Sequence, residues 1–258
     1  MKNRRQSNSH SIDISEKSGI RYLHTGSDWV QGAMRIARPW ALELAYTREM
    51  MAGLLLRDDK RWPRNALQIG LGAGSLSKFI YKNLPDCRMT VVEINPQIEF
   101  VARQYFNLPD DPMRLDITIE DGADYMLRAG RQFDYILLDG FDADAQAGPL
   151  DTLPFYQACR SRLTDSGLLA VNLLGKTKGF KESIERIRLA FDGRIIVLPP
   201  CESGNTIVFA CGDESIDTTL DKLREKAEKL KENSGLDLLP SISRLQLKQS
   251  FPDGKLRI

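Results

Sequence analysis

The sequence predicts an α/β protein: a doubly wound, mainly parallel, seven-stranded sheet preceded by a short N-terminal β-hairpin. Three observations carry this. Seven short apolar runs, each of strand length, recur between Ala66 and Cys211. Amphipathic stretches at helical spacing separate the first six, and strands alternating with helices of that length build a parallel sheet with right-handed crossovers. The last two runs are joined only by residues 199–205, too few for a helix, so they pair antiparallel.

Taken in order, residues 1–18 are polar, charged and without periodicity, and read as a disordered tail. Residues 19–64 form a hairpin and a helix. Extended stretches at 20–24 and 29–36 flank the turn Thr25-Gly26-Ser27-Asp28. Pro39 suits a first helical turn, and Leu42, Ala45, Tyr46, Met50, Gly53 and Leu54 give one apolar face. The core strands are expected at 66–70, 89–94, 115–120, 135–139, 168–174, 194–198 and 206–211. Helices fall between them at 75–84, 96–106, 123–129, 153–163 and 180–191. Asn95 is a natural N-cap for the second, whose buried stripe is Ile98, Val101, Ala102 and Tyr105. Residues 65–212 thus make a Rossmann-like domain whose terminal hairpin matches the arrangement of class I methyltransferase-like transferases. Residues 213–258 form a helical extension, with Leu220, Leu223, Ala227 and Leu230 on one stripe of a helix at 217–234. That extension offers a surface for self-association, so a homodimer is an expectation.

Composition narrows the function. The 258 residues are 42% hydrophobic and 28% charged, with a net charge of +1, so no global positive field draws the chain to nucleic acid. No apolar run reaches the roughly 18–20 residues of a membrane span, and the polar N-terminus has no secretory signal. Cys87, Cys159, Cys201 and Cys211 lack metal or disulfide spacing and the only histidines are His10 and His24, so no metal site is expected. Reduced cysteines fit a cytoplasmic protein. Trp29, Trp40 and Trp62 read as packing residues, and Cys201 and Cys211 as buried thiols.

Ligands of an open parallel sheet bind beyond the carboxyl ends of its strands. After the first core strand stands Gly70-Leu71-Gly72-Ala73-Gly74-Ser75. A dinucleotide fingerprint wants glycine where Ser75 stands, and the tighter loop suits a nucleoside without pyrophosphate. Glu93 ends the second strand, where a carboxylate accepts from both ribose hydroxyls. After the third, Asp121-Gly122 offers an acceptor for an adenine amine or an N-cap for the next helix, and the two roles are compatible. After the fourth come Asp139, Asp142 and Asp144 within six residues, a repulsive cluster that needs a cation. With no histidine nearby and no calcium-loop spacing, an organic amine fits better than a metal.

These residues carry a resemblance. From Gly19 to Gly212 the chain resembles the spermidine synthase (polyamine aminopropyltransferase) family. The glycine loop, VVEINP, EDGADYM and LLDGFDADAQAGPLDTLPFY follow in the family's order. Asp139, Asp142, Gly148, Pro149, Phe155 and Tyr156 match its D-[SA]-x-D-P-x-G-P…FY block, with two extra residues before Gly-Pro. The resemblance implies attack by a polyamine such as putrescine on decarboxylated S-adenosylmethionine, with methylthioadenosine leaving and no metal involved. It assigns Asp139 as the acid/base residue, with Asp142, Gln31 and Tyr46 binding the amine substrate. Gly70, Gly72, Gly74, Glu93, Asp121 and Gly122 are assigned to the nucleoside co-substrate. The chain departs from the family in three places. Ala73 stands where the family has an Asp that grips the aminopropyl amine, Ala143 replaces a Pro before an inserted stretch, and the N-terminal β region shrinks to about one hairpin. An S-adenosylmethionine-dependent small-molecule methyltransferase and a catalytically silent nucleoside-binding homologue stand as the other two readings.

Overall fold

The computed structural model describes residues 11–26, 30–141, 147–175, 179–248 and 251–258. At the N-terminus, β1 (Ile12–Lys17), β2 (Ile20–Thr25) and β3 (Val30–Arg35) form an antiparallel sheet in that order. The hairpin expected from the sequence is β2–β3. The disordered tail expected through residue 18 is corrected from Ile12 onward, because Ile12 and Ile14 pair opposite Thr25 and Leu23 and pack on the core. Two apolar residues in a polar stretch carry little periodicity, yet Ser18 and Gly19 both have positive φ, as a two-residue hairpin turn requires. Residues 1–10 and Trp29 lie outside the described part.

The next helix begins later than Pro39 suggests. α1 (Ala45–Met50) is one and a half turns long and passes into a tighter turn over Met51–Leu55. Residues 39–44 are held instead by side chains: Trp40 stacks on Tyr81 with centroids 6.4 Å apart, and Arg35 forks onto Glu43 at 3.0 and 2.5 Å. The Tyr135 hydroxyl donates to the Met50 carbonyl, and Gly53 is where that ring leaves no room for a Cβ. Trp62 packs on the other side of Tyr135 at 5.1 Å and is buried.

The central sheet is built from β4 (Asn65–Ile69), β5 (Arg88–Glu93), β6 (Leu115–Ile119), β7 (Phe133–Leu138), β8 (Leu163–Leu174), β9 (Ile195–Val197) and β10 (Asn205–Cys211). Their spatial order is β6-β5-β4-β7-β8-β10-β9. The first five are parallel, and β10 lies antiparallel between β8 and β9, as the short connection requires. The strand order reverses between β4 and β7, which puts the switch point at the glycine loop and Asp139.

Crossovers are made by α2 (Ser75–Asn83), α3 (Pro96–Tyr105), α4 (Gly122–Leu127), α5 (Leu153–Ser161) and α6 (Phe180–Ala190). Alternation along the strands splits the core into two. Ala66, Met89, Val91, Tyr135 and Leu137 face α1, α2 and α3. Leu67, Ile69, Val92, Ile136 and Leu138 face α4, α5 and α6.

The C-terminal extension adds β11 (Asp217–Thr219), α7 (Leu220–Ser234), α8 (Leu239–Lys248) and β12 (Lys255–Arg257). The helix expected at 217–234 loses its first three residues to β11, which pairs with β12; Thr219 then caps Lys222 N at 3.2 Å. Leu223 and Ala227 of α7 and Ile242 and Leu245 of α8 are buried in the first core. The apolar stripe is therefore covered by the chain itself. No helix among the described residues is long and apolar enough to cross a membrane.

Candidate functional site

The carboxyl ends of β4, β5, β6 and β7 converge on the glycine loop. Gly70 has φ +88°, and a side chain there would overlap the Asp139 carbonyl. Gly72 has φ +53°, with the Gln31 carbonyl 2.9 Å from where its Cβ would stand. The loop is thus clamped between β7 and β3, so these two glycines answer first to protein packing. Gly74 N-caps α2 in the left-handed conformation, and Gly122 opens α4 where a Cβ would come within 2.5 Å of Ile69 Cγ2.

Ala73 is 2% exposed, and a Cβ on Gly32 of β3 would lie 2.5 Å from its own. The N-terminal sheet closes over this position. Ala73 is part of the core.

Glu93 is buried at the end of β5. Its Oε2 accepts from Leu71 N at 2.8 Å and its Oε1 from Asn95 N at 2.9 Å. Burial raises its proton affinity and these main-chain donors, with Ile94 N, pull it back. The carboxylate therefore ties the glycine loop to β5. Asp121 is half-buried and fulfils the capping role: Oδ1 accepts from Ala123 N at 2.8 Å and Asp124 N at 3.4 Å.

Asp139 follows β7 at the switch point. Asn172 Nδ2 of β8 donates to its Oδ1 at 2.8 Å, and the Tyr46 hydroxyl of α1 also donates to the carboxylate. Removal from water pushes its pKa up to about 6, against the pull of those two donors. Burial, and then the neighbouring Asp139 carboxylate, hold the Tyr46 hydroxyl well above its ordinary range. Tyr46, Asp139, Gly70, Gly72, Gln31 and Glu93 are thus brought together around one loop. Asp142 and Asp144 lie outside the described residues. Among the described residues no group of His, Cys, Asp and Glu side chains could hold a metal ion.

Phe155 and Tyr156, which match the end of the family block, are buried with their rings edge-to-face at 5.8 Å. The Tyr156 hydroxyl donates to Asp151 at 2.9 Å, so the pair anchors α5 and stays out of the site. Sequence reasoning missed Asn172 and Asn205, both buried and both bonded behind Asp139. The legible signal was Asn172 itself, a single amide inside the otherwise apolar run at 168–174.

Comparison with known proteins gives the family. The spermine/spermidine synthase domain model matches residues 43–193. The chain belongs to the spermine/spermidine synthase family. A polyamine aminopropyltransferase of Neisseria meningitidis serogroup A is 39% identical over 226 residues, covering 88% of this chain and 85% of the relative. One from Chromobacterium violaceum is 38% identical over 247 residues, covering 96% and 94%. A crystal structure of spermidine synthase in complex with the transition-state analogue AdoDATO superposes with a TM-score of 0.73 at 23% identity, covering 96% of this chain and 84% of that one. That likeness bears out the α/β fold with its class I methyltransferase-like sheet.

Proposed function

We propose that this chain is a polyamine aminopropyltransferase, moving the aminopropyl group of decarboxylated S-adenosylmethionine onto a polyamine such as putrescine. The observation that carries the chemistry is Asp139, a carboxylate at the switch point with a pKa near 6 and two fixed donors. At neutral pH it is ionised, yet its proton affinity sits within reach of a general base.

The residues fit the co-substrate. A sulfonium with an attached amine is cationic, and the strand ends present Glu93, Asp121 and Asp139 at one edge of the sheet. In this reading Glu93 accepts from the ribose hydroxyls through lone pairs its backbone bonds leave free. Asp121 accepts from the adenine amine while Oδ1 caps α4. Gly70, Gly72, Gly74 and Gly122 keep side chains out of the way. Gln31 and Tyr46 line the amine side, and Asp142 binds the polyamine nitrogens.

The reaction balances as follows. An alkylammonium of the acceptor gives a proton to Asp139, and the freed lone pair attacks the methylene next to sulfur. The C–S bond breaks with its electrons going to sulfur, so neutral methylthioadenosine leaves and the new secondary amine carries the positive charge. Alignment of amine and sulfonium by the rigid strand ends supplies much of the acceleration. Among the described residues the four cysteines are free and buried, which suits a reducing cytoplasm. Because the C-terminal stripe is covered, a homodimer would use another face.

Purified protein supplied with putrescine and either decarboxylated or intact S-adenosylmethionine tests the reading. Methylthioadenosine should accumulate with the decarboxylated form, and no S-adenosylhomocysteine with the intact one. Absence of methylthioadenosine with putrescine, spermidine and cadaverine alike would overturn it.

A further inference from the structure

Behind Asp139 a line of polar side chains runs through the sheet. Asn172 Nδ2 donates to Asp139 Oδ1 at 2.8 Å. Asn205 Nδ2, on the neighbouring strand β10, donates to Asn172 Oδ1 at 2.9 Å. Ser203 Oγ, in the turn before β10, donates to Asn205 Oδ1 at 2.6 Å, and Cys201 Sγ lies 3.1 Å from that hydroxyl. Asn172 pairs across from Ile207 and Asn205 from Leu174, so the two amides are diagonal neighbours, which places their side chains within reach. Both are buried, at 4% and 7% exposure.

The direction of this line is forced. An ionised carboxylate only accepts, so Asn172 must turn its amide nitrogen toward Asp139 and its oxygen away. That oxygen also only accepts, so Asn205 must present nitrogen to it, leaving its own oxygen for the Ser203 hydroxyl. Each amide is oriented by the one behind it, and a change at the far end reaches the carboxylate. Burying two amides in an apolar strand pair is costly unless every polar atom is matched. A purely architectural pair could close on main-chain groups; this one terminates on the carboxylate at the ligand edge.

We propose that Asn172 and Asn205 are positioning residues for the transfer reaction, an amide relay that fixes one oxygen of Asp139 and leaves the other to the substrate side. The relay rests on the reading of Asp139 as the base. Among the described residues, the groups facing Asp139 are Tyr46 from α1 and Asn172 from β8, with the Cys201 thiol within electrostatic reach of Tyr46. Tyr46 does not change its proton state across the working range, since its hydroxyl is held well above 10. The relay therefore controls the remaining donor to Asp139.

Asn205→Asp is the sharpest test, because the new carboxylate accepts and cannot donate. Asn172 then turns its nitrogen toward residue 205 and its oxygen toward Asp139, which loses a donor and gains a repulsive neighbour. The acid limb of kcat/KM should move upward by about one pH unit or more. Ser203→Ala, at an exposed turn that tolerates change, should move the limb the same way by less, and Ser203→Thr should restore the parent profile. The readout independent of turnover is the 13C-carboxyl NMR titration of aspartate-labelled protein, with Asp139→Asn assigning the resonance. An Asp139 resonance that titrates at the parent pH in both Asn205→Asp and Ser203→Ala overturns the relay. Full turnover in Asp139→Asn would instead overturn the base, whatever the relay variants do.

Discussion

As the proposed base, Asp139 sets function against stability at a single residue. The folded protein raises its pKa to about 6 from 3.8, so the native state holds the proton more tightly than the unfolded chain does. Its cost to the fold is fully present above about pH 6 and disappears below 3.8, with a size on the order of 3 kcal/mol. Asn at this position keeps an oxygen for Asn172 and sheds the charge. Asp139→Asn is therefore expected to reduce kcat by about 10²–10⁴. At pH 7 the same variant should melt higher than the parent, by about 2–4 °C for each kcal/mol recovered. Below pH 4 the two melting curves should coincide. A variant that lost activity while melting lower at pH 7 would show that Asp139 is a structural carboxylate. Ala73 is the complementary case. Its sequence context suggests a missing anchor, whereas its burial against Gly32 makes it a packing residue.

At the scale of elements, the part of the site with the least local support is α1, which carries Tyr46. It has six residues and no side-chain N-cap, too short to be stable by propensity. Its hold comes from outside. Arg48 donates to the Glu43 carbonyl at 2.6 Å, and the buried Glu49 pairs with Arg244 and accepts from Ser241 at 3.2 Å, both on α8. Arg244→Ala leaves the Glu49 carboxylate buried without its cation and should cost about 1–3 kcal/mol in urea unfolding. Adding Glu49→Gln should recover most of that loss, and the single variant should raise KM for the amine more than it changes kcat. Equal stability of the single and double variants would show that the ion pair does not hold the helix. This dependence explains what the sequence conveyed. Strands buried on both faces and helices such as α3, with its Asn95 cap, were legible from their own patterns. Of the stripe expected on α3, only Ile98, Val101 and Ala102 are buried, and Tyr105, in the last turn, is 45% exposed. β1 was not legible, because two apolar residues in a polar stretch give no clear period. Nor were the late start of α1 and the break at Asp217–Thr219, because Trp40 meets Tyr81 and β11 meets β12 only in the folded chain. The site divides the same way. Asp139, Glu93 and Asp121 are legible as acids at strand ends, whereas Asn172 and Asn205 acquire meaning only when β8 and β10 pair.

Across the whole molecule the charges nearly cancel, at 36 basic and 35 acidic side chains, but they are not mixed evenly. Many basic groups are engaged away from the site. Arg57 is buried against the Gly167 and Glu214 carbonyls and Lys78 against the Phe106 carbonyl, and the half-buried Arg186 pairs with Asp151. The carboxyl ends of β5, β6 and β7 carry Glu93, Asp121 and Asp139, whose donors are neutral amides, main-chain N–H groups and a phenol. Among the described residues no cation is among those donors, so they leave the edge a negative field that a polyamine with several ammonium groups meets before it binds. Such a field is screened by salt over about 10 Å at 0.1 M, and attraction between opposite charges weakens accordingly. Raising ionic strength from about 20 to about 200 mM should therefore increase KM for a polyamine several-fold. Inhibition by methylthioadenosine, which is uncharged, should change by less than about twofold over the same range. If the two constants moved in parallel, salt would be acting on the fold or on the nucleoside half of the site. If neither moved, the negative edge would have no part in drawing in the amine.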